Sequence, residues 1–378
     1  MNEYPLIISY KNILKLIDET SLNQVVIDLV RYIKQEKVPY PTANYIYTKD
    51  WIKDSVRDLK KYKPHWERKP YTIRTTEHIP RNLPLTFKGK RWLFVPDESD
   101  FERFDVLTNV FTEESRILCE RQQEHKRVVS PLYGFLHHTK YLKESLEFAL
   151  LNCLQDQISL DAHTLREGLY KASKEKDSLV SECANERITF LYSLFKVLIQ
   201  YLPFRKIRVF DACAGWGDRL LVSAILGLDR YVGIEPNTAS AKGFREISKL
   251  FSRKQSNGRY AHEVLCDAMP NPRLPKDVQT SMFELVFLSP PSFTSEVYSD
   301  DKQQSVMMFP NEEDWKEGFL YPTIDACIEL LRPGGFLVIQ SILIKMIHPY
   351  LLPRLKYVGV ISMKTSGKRN KPLWIWTK

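Results

Sequence analysis

Three carboxylates and two glycines stand where short apolar runs end, and they define the chemistry open to this 378-residue chain. The run Val209-Phe-Asp-Ala-Cys-Ala-Gly-Trp-Gly-Asp-Arg-Leu220 reads as a strand that stops at Asp211, a tight turn through Ala212, Gly215 and Gly217, and a helix that opens at Asp218. Glycines in such a turn let backbone approach a ligand closely, which makes a nucleotide-type crevice. Leu220 takes the place of the third glycine of the dinucleotide fingerprint, and this disfavours a pyrophosphate cofactor. A second acid closes the next apolar run, Tyr231-Val-Gly-Ile-Glu235, where one carboxylate can accept both ribose hydroxyls. A third, Asp267, follows Cys266 at the end of another run. Two glycines alone would suit any strand-to-helix turn, so the acids at successive strand ends carry the argument. The competing reading is a doubly wound domain that binds a different nucleotide.

In this order and spacing the features resemble the class I S-adenosylmethionine-dependent methyltransferases, over about residues 185–378. Leu331-Arg-Pro-Gly-Gly-Phe-Leu-Val-Ile-Gln340 matches that family's Pro-Gly-Gly turn before the fifth strand. The resemblance implies S-adenosylmethionine as cofactor. It places Asp211, Gly215 and Gly217 at the methionine portion, Glu235 at the ribose and Asp267 at the adenine amino group, with Ala212, Asp218 and Ser289 completing the set.

The run Phe287-Leu-Ser-Pro-Pro-Ser-Phe293 resembles the (Asp/Asn/Ser)-Pro-Pro-aromatic motif of methyltransferases acting on exocyclic amino groups, chiefly adenine N6 and cytosine N4. This implies catalytic roles for Ser289, Pro290, Pro291 and Phe293. An amino nitrogen conjugated with its ring is a poor nucleophile, so a site must accept its N–H bonds and fix its geometry. Ser289 and the Pro290 carbonyl are the acceptors that the motif implies. The family's aromatic position holds Ser292, and a ring follows at Phe293, which leaves three readings: Phe293 stacks on the base instead, the target differs, or activity is lost. A Pro-Pro turn at a strand end also occurs for structural reasons alone. With Phe111-Thr-Glu-Glu-Ser-Arg116 and Ser130-Pro-Leu-Tyr133, the chain looks similar to methyltransferases of large DNA viruses and phages, which would set residues 111–133 near the cofactor.

Other chemistries fit less well. Methylation of cytosine C5 needs a nucleophilic cysteine, usually in Pro-Cys, and no Pro-Cys occurs. Ribose 2′-O methylation uses a lysine set whose aspartate position is Ser289 here. An inactive module of the same fold that binds nucleic acid or supports another subunit competes with the enzyme, as does a methyltransferase for proteins or small molecules.

These residues need a sheet to position them. Apolar runs at 206–211, 230–235, 262–266, 283–288 and 336–341 alternate with helical stretches, which predicts an α/β, doubly wound, mostly parallel Rossmann-like sheet covered on both faces. Residues 356–364 and 373–377, joined without a helix, predict an antiparallel C-terminal hairpin at the sheet edge. The N-terminal region reads as mainly helical: two amphipathic helices within 6–36, loops and short strands from Pro39 to Pro96 with a strand at 91–95, then helices within 101–200. The expected divisions are 1–100, a helical connector or lid at 101–184, and the methyltransferase domain at 185–378.

Charge suggests a partner. Thirteen basic residues against five acids between Lys49 and Arg91 give net +8, nearly the whole surplus of +9, interleaved with Trp51, Tyr62, Trp66, Tyr71, Phe87 and Trp92. Cations among flat rings suit phosphates and unstacked bases, so DNA or RNA is the expected partner through residues 49–91 and the basic stretch from Arg354 to Lys378. A solvated basic surface over an aromatic core is the plain alternative. Six cysteines without a C-x-x-C pair, and no His or Cys cluster at ligand spacing, argue for a reducing compartment without a metal. No run of about 20 apolar residues is present to span a membrane, and the first residues fit neither a signal nor a transit peptide; the expected location is cytosolic, with nuclear or virus-associated alternatives.

Overall fold

The computed structural model describes residues 3–68, 83–123, 126–175, 178–293, 296–299, 301–341, 343–365 and 370–378. By contact the chain divides into two compact units, one of Met1–Ile52, Asn109–Ala184 and Thr294–Ser299, the other of Lys53–Thr108, Asn185–Phe293 and Asp300–Lys378. Residues 53–108 thus go with the larger unit, whereas the sequence sets 1–100 apart. Lys69, Tyr71, Arg74 and Arg81 of the basic segment lie outside the described residues.

The described strands, in chain order, are β1 (Trp66–Glu67), β2 (Leu93–Phe94), β3 (Glu120–Gln123), β4 (Lys126–Val128), β5 (Arg208–Asp211), β6 (Arg230–Ile234), β7 (His262–Leu265), β8 (Phe283–Leu288), β9 (Glu296–Val297), β10 (Leu331–Gln340), β11 (Lys356–Lys364) and β12 (Asn370–Thr377). The α-helices described before residue 252 are α1 (Tyr10–Glu19), α2 (Leu22–Gln35), α3 (Lys49–Leu59), α4 (Asn109–Arg116), α5 (Pro131–His137), α6 (Thr139–Asp156), α7 (Ala162–Lys174), α8 (Ile188–Gln200), α9 (Asp218–Ile225) and α10 (Ala241–Phe251).

In the smaller unit α1, α2, α6 and α7 bury an apolar core that includes Val25, Leu29, Leu146, Leu150, Leu165 and Leu169. Ser9 and Ser21 start the first two helices by accepting the N–H of Asn12 and of Gln24, each satisfying a donor that a helix leaves open. Glu113 and Arg116 of α4 are buried and form an ionic cluster with Arg166 and Glu182. Ser130 caps α5 through the Tyr133 N–H. The 111–133 segment is thus engaged in the smaller unit's own structure. Beyond Phe293 the chain contributes β9, which pairs antiparallel with β3 in a sheet ordered β4-β3-β9.

The larger unit is built on one sheet in the order β1-β2-β11-β12-β10-β8-β5-β6-β7. From β7 to β10 neighbouring strands are parallel, and chain order reverses direction between β5 and β8, which is where ligands of such sheets bind beyond the strands' carboxyl ends. Side chains alternate between the faces: Phe210, Val286, Leu288, Leu337 and Ile339 share a core with Ile324 and Ile344 of the helices Tyr321–Leu330 and Ile344–Leu351, while Phe287 meets Phe195 of α8 across 6.1 Å. The α/β, doubly wound, mostly parallel arrangement is the expected one.

Three local expectations are corrected. The hairpin of β11 and β12 is not an edge: β12 lies between β10 and β11, and β11 pairs with β2, with the Ser362 N–H donating to the Trp92 carbonyl at 2.9 Å. Residues 49–59, taken as loop because prolines surround them, form α3, whose Ile52, Ser55, Val56 and Leu59 are buried at helical spacing. Phe87 and Trp92 are 0% and 5% exposed, so these two rings belong to the core, and a base cannot stack on them.

Candidate cofactor and active site

The turn after β5 is held by its neighbours. Ala212 donates its N–H to the Phe287 carbonyl at 3.0 Å and Ala214 to the Ile234 carbonyl at 2.9 Å, so the loop is strung across the ends of β8 and β6. A Cβ at residue 233 would stand 2.8 Å from that of Ala214, which explains glycine there. Gly215 and Gly217 have φ of +59° and +88°, the left-handed region in which a side chain is strained. Their surroundings differ. A Cβ on Gly217 would meet the Phe244 ring at 3.1 Å, while one on Gly215 would meet nothing within 4 Å; Gly217 serves packing and Gly215 faces open space.

Glu235, just beyond β6, accepts the Gly215 N–H at 3.0 Å on one oxygen and the Asn237 N–H at 3.1 Å on the other. Each oxygen keeps a lone pair for a further donor. Burial pushes its carboxyl up to about 7, against the two backbone donors and with Asp211 adding to the rise. Asp267 accepts from Ala268 at 2.8 Å and from Arg273 at 2.7 Å, shaping the turn after β7. Glu235, Asp301 and Asp267 all reinforce the rise that burial imposes on the Cys266 thiol, which marks these acids as one electrostatic neighbourhood. Thr238 donates to Asp301 at 3.5 Å.

Asp211 is turned inward. It is 0% exposed, and its oxygens receive Arg219 Nε at 2.6 Å, Arg219 Nη2 at 3.3 Å and the Tyr231 hydroxyl at 2.6 Å. Asp211→Ala is therefore expected to cost stability. That change takes from the buried Arg219 guanidinium one of its two carboxylate partners, the other being Glu186; breaking a buried pair costs up to about 3–5 kcal/mol, and chemical denaturation should show the loss. Asp218 is also buried, accepts the Glu186 N–H at 3.0 Å, and has its carboxyl raised by burial to about 6.

Ser289, Pro290, Pro291, Ser292 and Phe293 are half-buried and follow directly on β8. The Phe293 ring lies 5.9 Å from that of the buried Trp315, tilted 51°, and Trp315 donates its indole N–H to Ser305 at 3.1 Å. Sequence reasoning missed Arg219, Tyr231 and Glu186. The signal for Arg219 was present: a cation sits directly before Leu220 and Leu221 in a helix that turns out to be wholly buried, and such a charge must have a partner.

No family model matches the sequence, and no curated protein matches it. Solved structures it is similar to include TrmN from Thermus thermophilus (13% identity, 57% of this chain and 66% of that one, TM-score 0.34). Two others are the ribosomal protein L11 methylase from Lactobacillus delbrueckii subsp. bulgaricus (17%, 52% and 81%, 0.33) and N-methyltransferase NodS from Bradyrhizobium japonicum WM9 (11%, 50% and 94%, 0.33). The functional reading rests on this chain's own residues.

Proposed function

We propose that the chain is an S-adenosylmethionine-dependent methyltransferase acting on an exocyclic amine of a base in DNA or RNA. The observation that carries the cofactor is the Gly215–Glu235 pairing across the ends of β5 and β6, next to the sheet's reversal point: a glycine open to space, bonded to a carboxylate with lone pairs to spare for a ribose. Asp218 supports it by default, since an acid at the first position of α9 opposes a pyrophosphate where a dinucleotide would place one.

Bound S-adenosylmethionine supplies an electrophilic methyl group. The chain's task is then to hold and orient. Gly215 leaves room for the amino-acid portion, Glu235 accepts from the ribose, and Asp267 stands at the neighbouring strand end for the adenine. On the acceptor side, the Ser289 hydroxyl and the Pro290 carbonyl accept the N–H bonds of an amine and hold its nitrogen in line, which matters most as that nitrogen rehybridises. Phe293, backed by Trp315, offers an apolar face for a flat base.

Calorimetry with S-adenosylhomocysteine and NAD tests the cofactor. Micromolar binding of the first and none of the second is expected, and the reverse would sink the reading. Labelled S-adenosylmethionine offered with pools of DNA, RNA, capped RNA and protein tests the acceptor; label entering only protein, or no pool at all, would overturn the nucleic-acid assignment.

A further inference from the structure

Arg219 is the most heavily engaged charged residue beside the cofactor loop, and no ligand contact is assigned to it. It is 4% exposed. Besides its bonds to Asp211, it donates Nη1 to Glu186 at 2.8 Å and Nη2 to the Cys213 carbonyl. The guanidinium carbon stands 4.7 Å over the Phe287 ring. These partners lie at the end of β5, in the turn, ahead of α8 and on β8. One planar fork thus ties together four segments that converge on Gly215 and Gly217, and the Tyr231 hydroxyl of β6 secures Asp211 from a fifth.

We propose that Arg219 is the positioning residue of the cofactor loop, holding the Cys213–Gly217 backbone at the place where Gly215 can donate to Glu235, and that Asp211 serves as its counter-ion rather than as a ligand acceptor. This rests on the cofactor reading above. The geometry gives arginine a reason: five donors in a fixed plane serve two carboxylates and a carbonyl together, whereas an ammonium at the same place is a point charge that cannot span them.

The link to Glu235 supplies a readout that general stability does not. Charged or titratable groups acting on Glu235 are Asp211, which raises it, and Arg219, which lowers it; the Cys213 and Cys266 thiols face it from the turn and from the end of β7. The backbone donors Gly215 and Asn237 lower it further. Arg219→Lys keeps the positive charge and loses the fork. If the loop then slackens, Gly215 withdraws its N–H, the Glu235 carboxylate loses a stabilising bond and its titration moves to higher pH.

The experiment is calorimetric titration of the full chain with S-adenosylhomocysteine from pH 5.5 to 9, for the parent, Arg219→Lys and Tyr231→Phe. Arg219→Lys is expected to bind about tenfold more weakly at pH 7.5, with the midpoint of its pH dependence above the parent's. Tyr231→Phe removes only one hydroxyl from the same network, is expected to move the midpoint the same way by less, and decides the matter if Arg219→Lys fails to fold. Folded variants whose affinity and midpoint match the parent's would overturn the proposal and leave the cofactor reading standing. A parent that does not bind S-adenosylhomocysteine overturns both.

Discussion

At the residue scale the site is a set of carboxylates whose environments give them different tasks. Asp211 is spent on Arg219 and Tyr231; Glu235 is half-open and poised near neutrality. Its pH consequences run in opposite directions for folding and for binding. Because its folded-state value, about 7, lies above the ordinary 4.5, the protonated form favours the fold: that contribution is complete below about pH 4.5 and is lost as pH rises through 7. A ribose, however, needs the ionised form. Raising the pH from 5 to 8 should thus lower the melting temperature of the parent relative to Glu235→Gln, while the parent's affinity for S-adenosylhomocysteine rises and that of the variant stays flat and about tenfold to a hundredfold weaker. Scanning calorimetry and titration at matched pH check both limbs. On the acceptor side, Ser289→Ala should lower kcat with cofactor affinity unchanged, and Phe293→Ala should chiefly raise KM, since stacking on a base contributes about 1–3 kcal/mol. Steady-state kinetics on the methylated pool would settle this; parent-like turnover in both would point to another acceptor atom.

At the element scale, the strand-to-helix turn after β5 separates two glycines that look equivalent on paper. Gly217→Ala sets a Cβ 3.1 Å from the Phe244 ring at a φ of +88°, so it should destabilise by at least the roughly 1–2 kcal/mol of left-handed strain. Gly215→Ala carries the strain without the clash, and its methyl projects into the space kept for ligand; the protein should stay folded and lose cofactor affinity. Denaturation midpoints beside titrations would show the split, and equal losses of stability would refute it. The parallel strands were legible in the sequence because each is a short apolar run closed by an acid or a turn residue, and the end of β8 and the start of α9 fall at the expected residues. What escaped was set by partners distant in the chain. β1 is two residues long, too short for alternation to register, whereas β2, Leu93–Phe94, lies within the strand expected at 91–95. β9 sits in a polar run and exists by pairing with residues about 175 positions earlier. The inward turn of Asp211 depends on Arg219 and Tyr231 meeting it in space, which spacing along the chain does not reveal.

At the scale of the whole molecule, the basic segment remains the candidate grip on nucleic acid, in a form narrower than its composition suggests. Phe87 and Trp92 are interior, so exposed cations such as Lys60, Lys61 and Lys63 are left to meet phosphates. Because residues 53–108 belong to the same compact unit as the nine-stranded sheet, excising 185–378 would cut that unit, and surface substitution is the better probe. Changing Lys60, Lys61 and Lys63 to Gln should weaken binding of a single-stranded oligonucleotide and flatten the log affinity against log salt slope by about 0.7 for each lost contact. Anisotropy titrations across salt would measure it, and an unchanged slope would make the segment a solvated surface. The place of β12 has a different consequence, one of timing. It is the latest strand of its sheet to leave the ribosome, yet it fills an interior slot and carries the fully buried Trp374 and Trp376. Until it arrives, β10 and β11 each present an unpaired edge to other chains. The nascent sheet must therefore wait, half-assembled and open to aggregation, for its final eight-residue strand, and a premature stop shortly before Asn370 should yield insoluble protein.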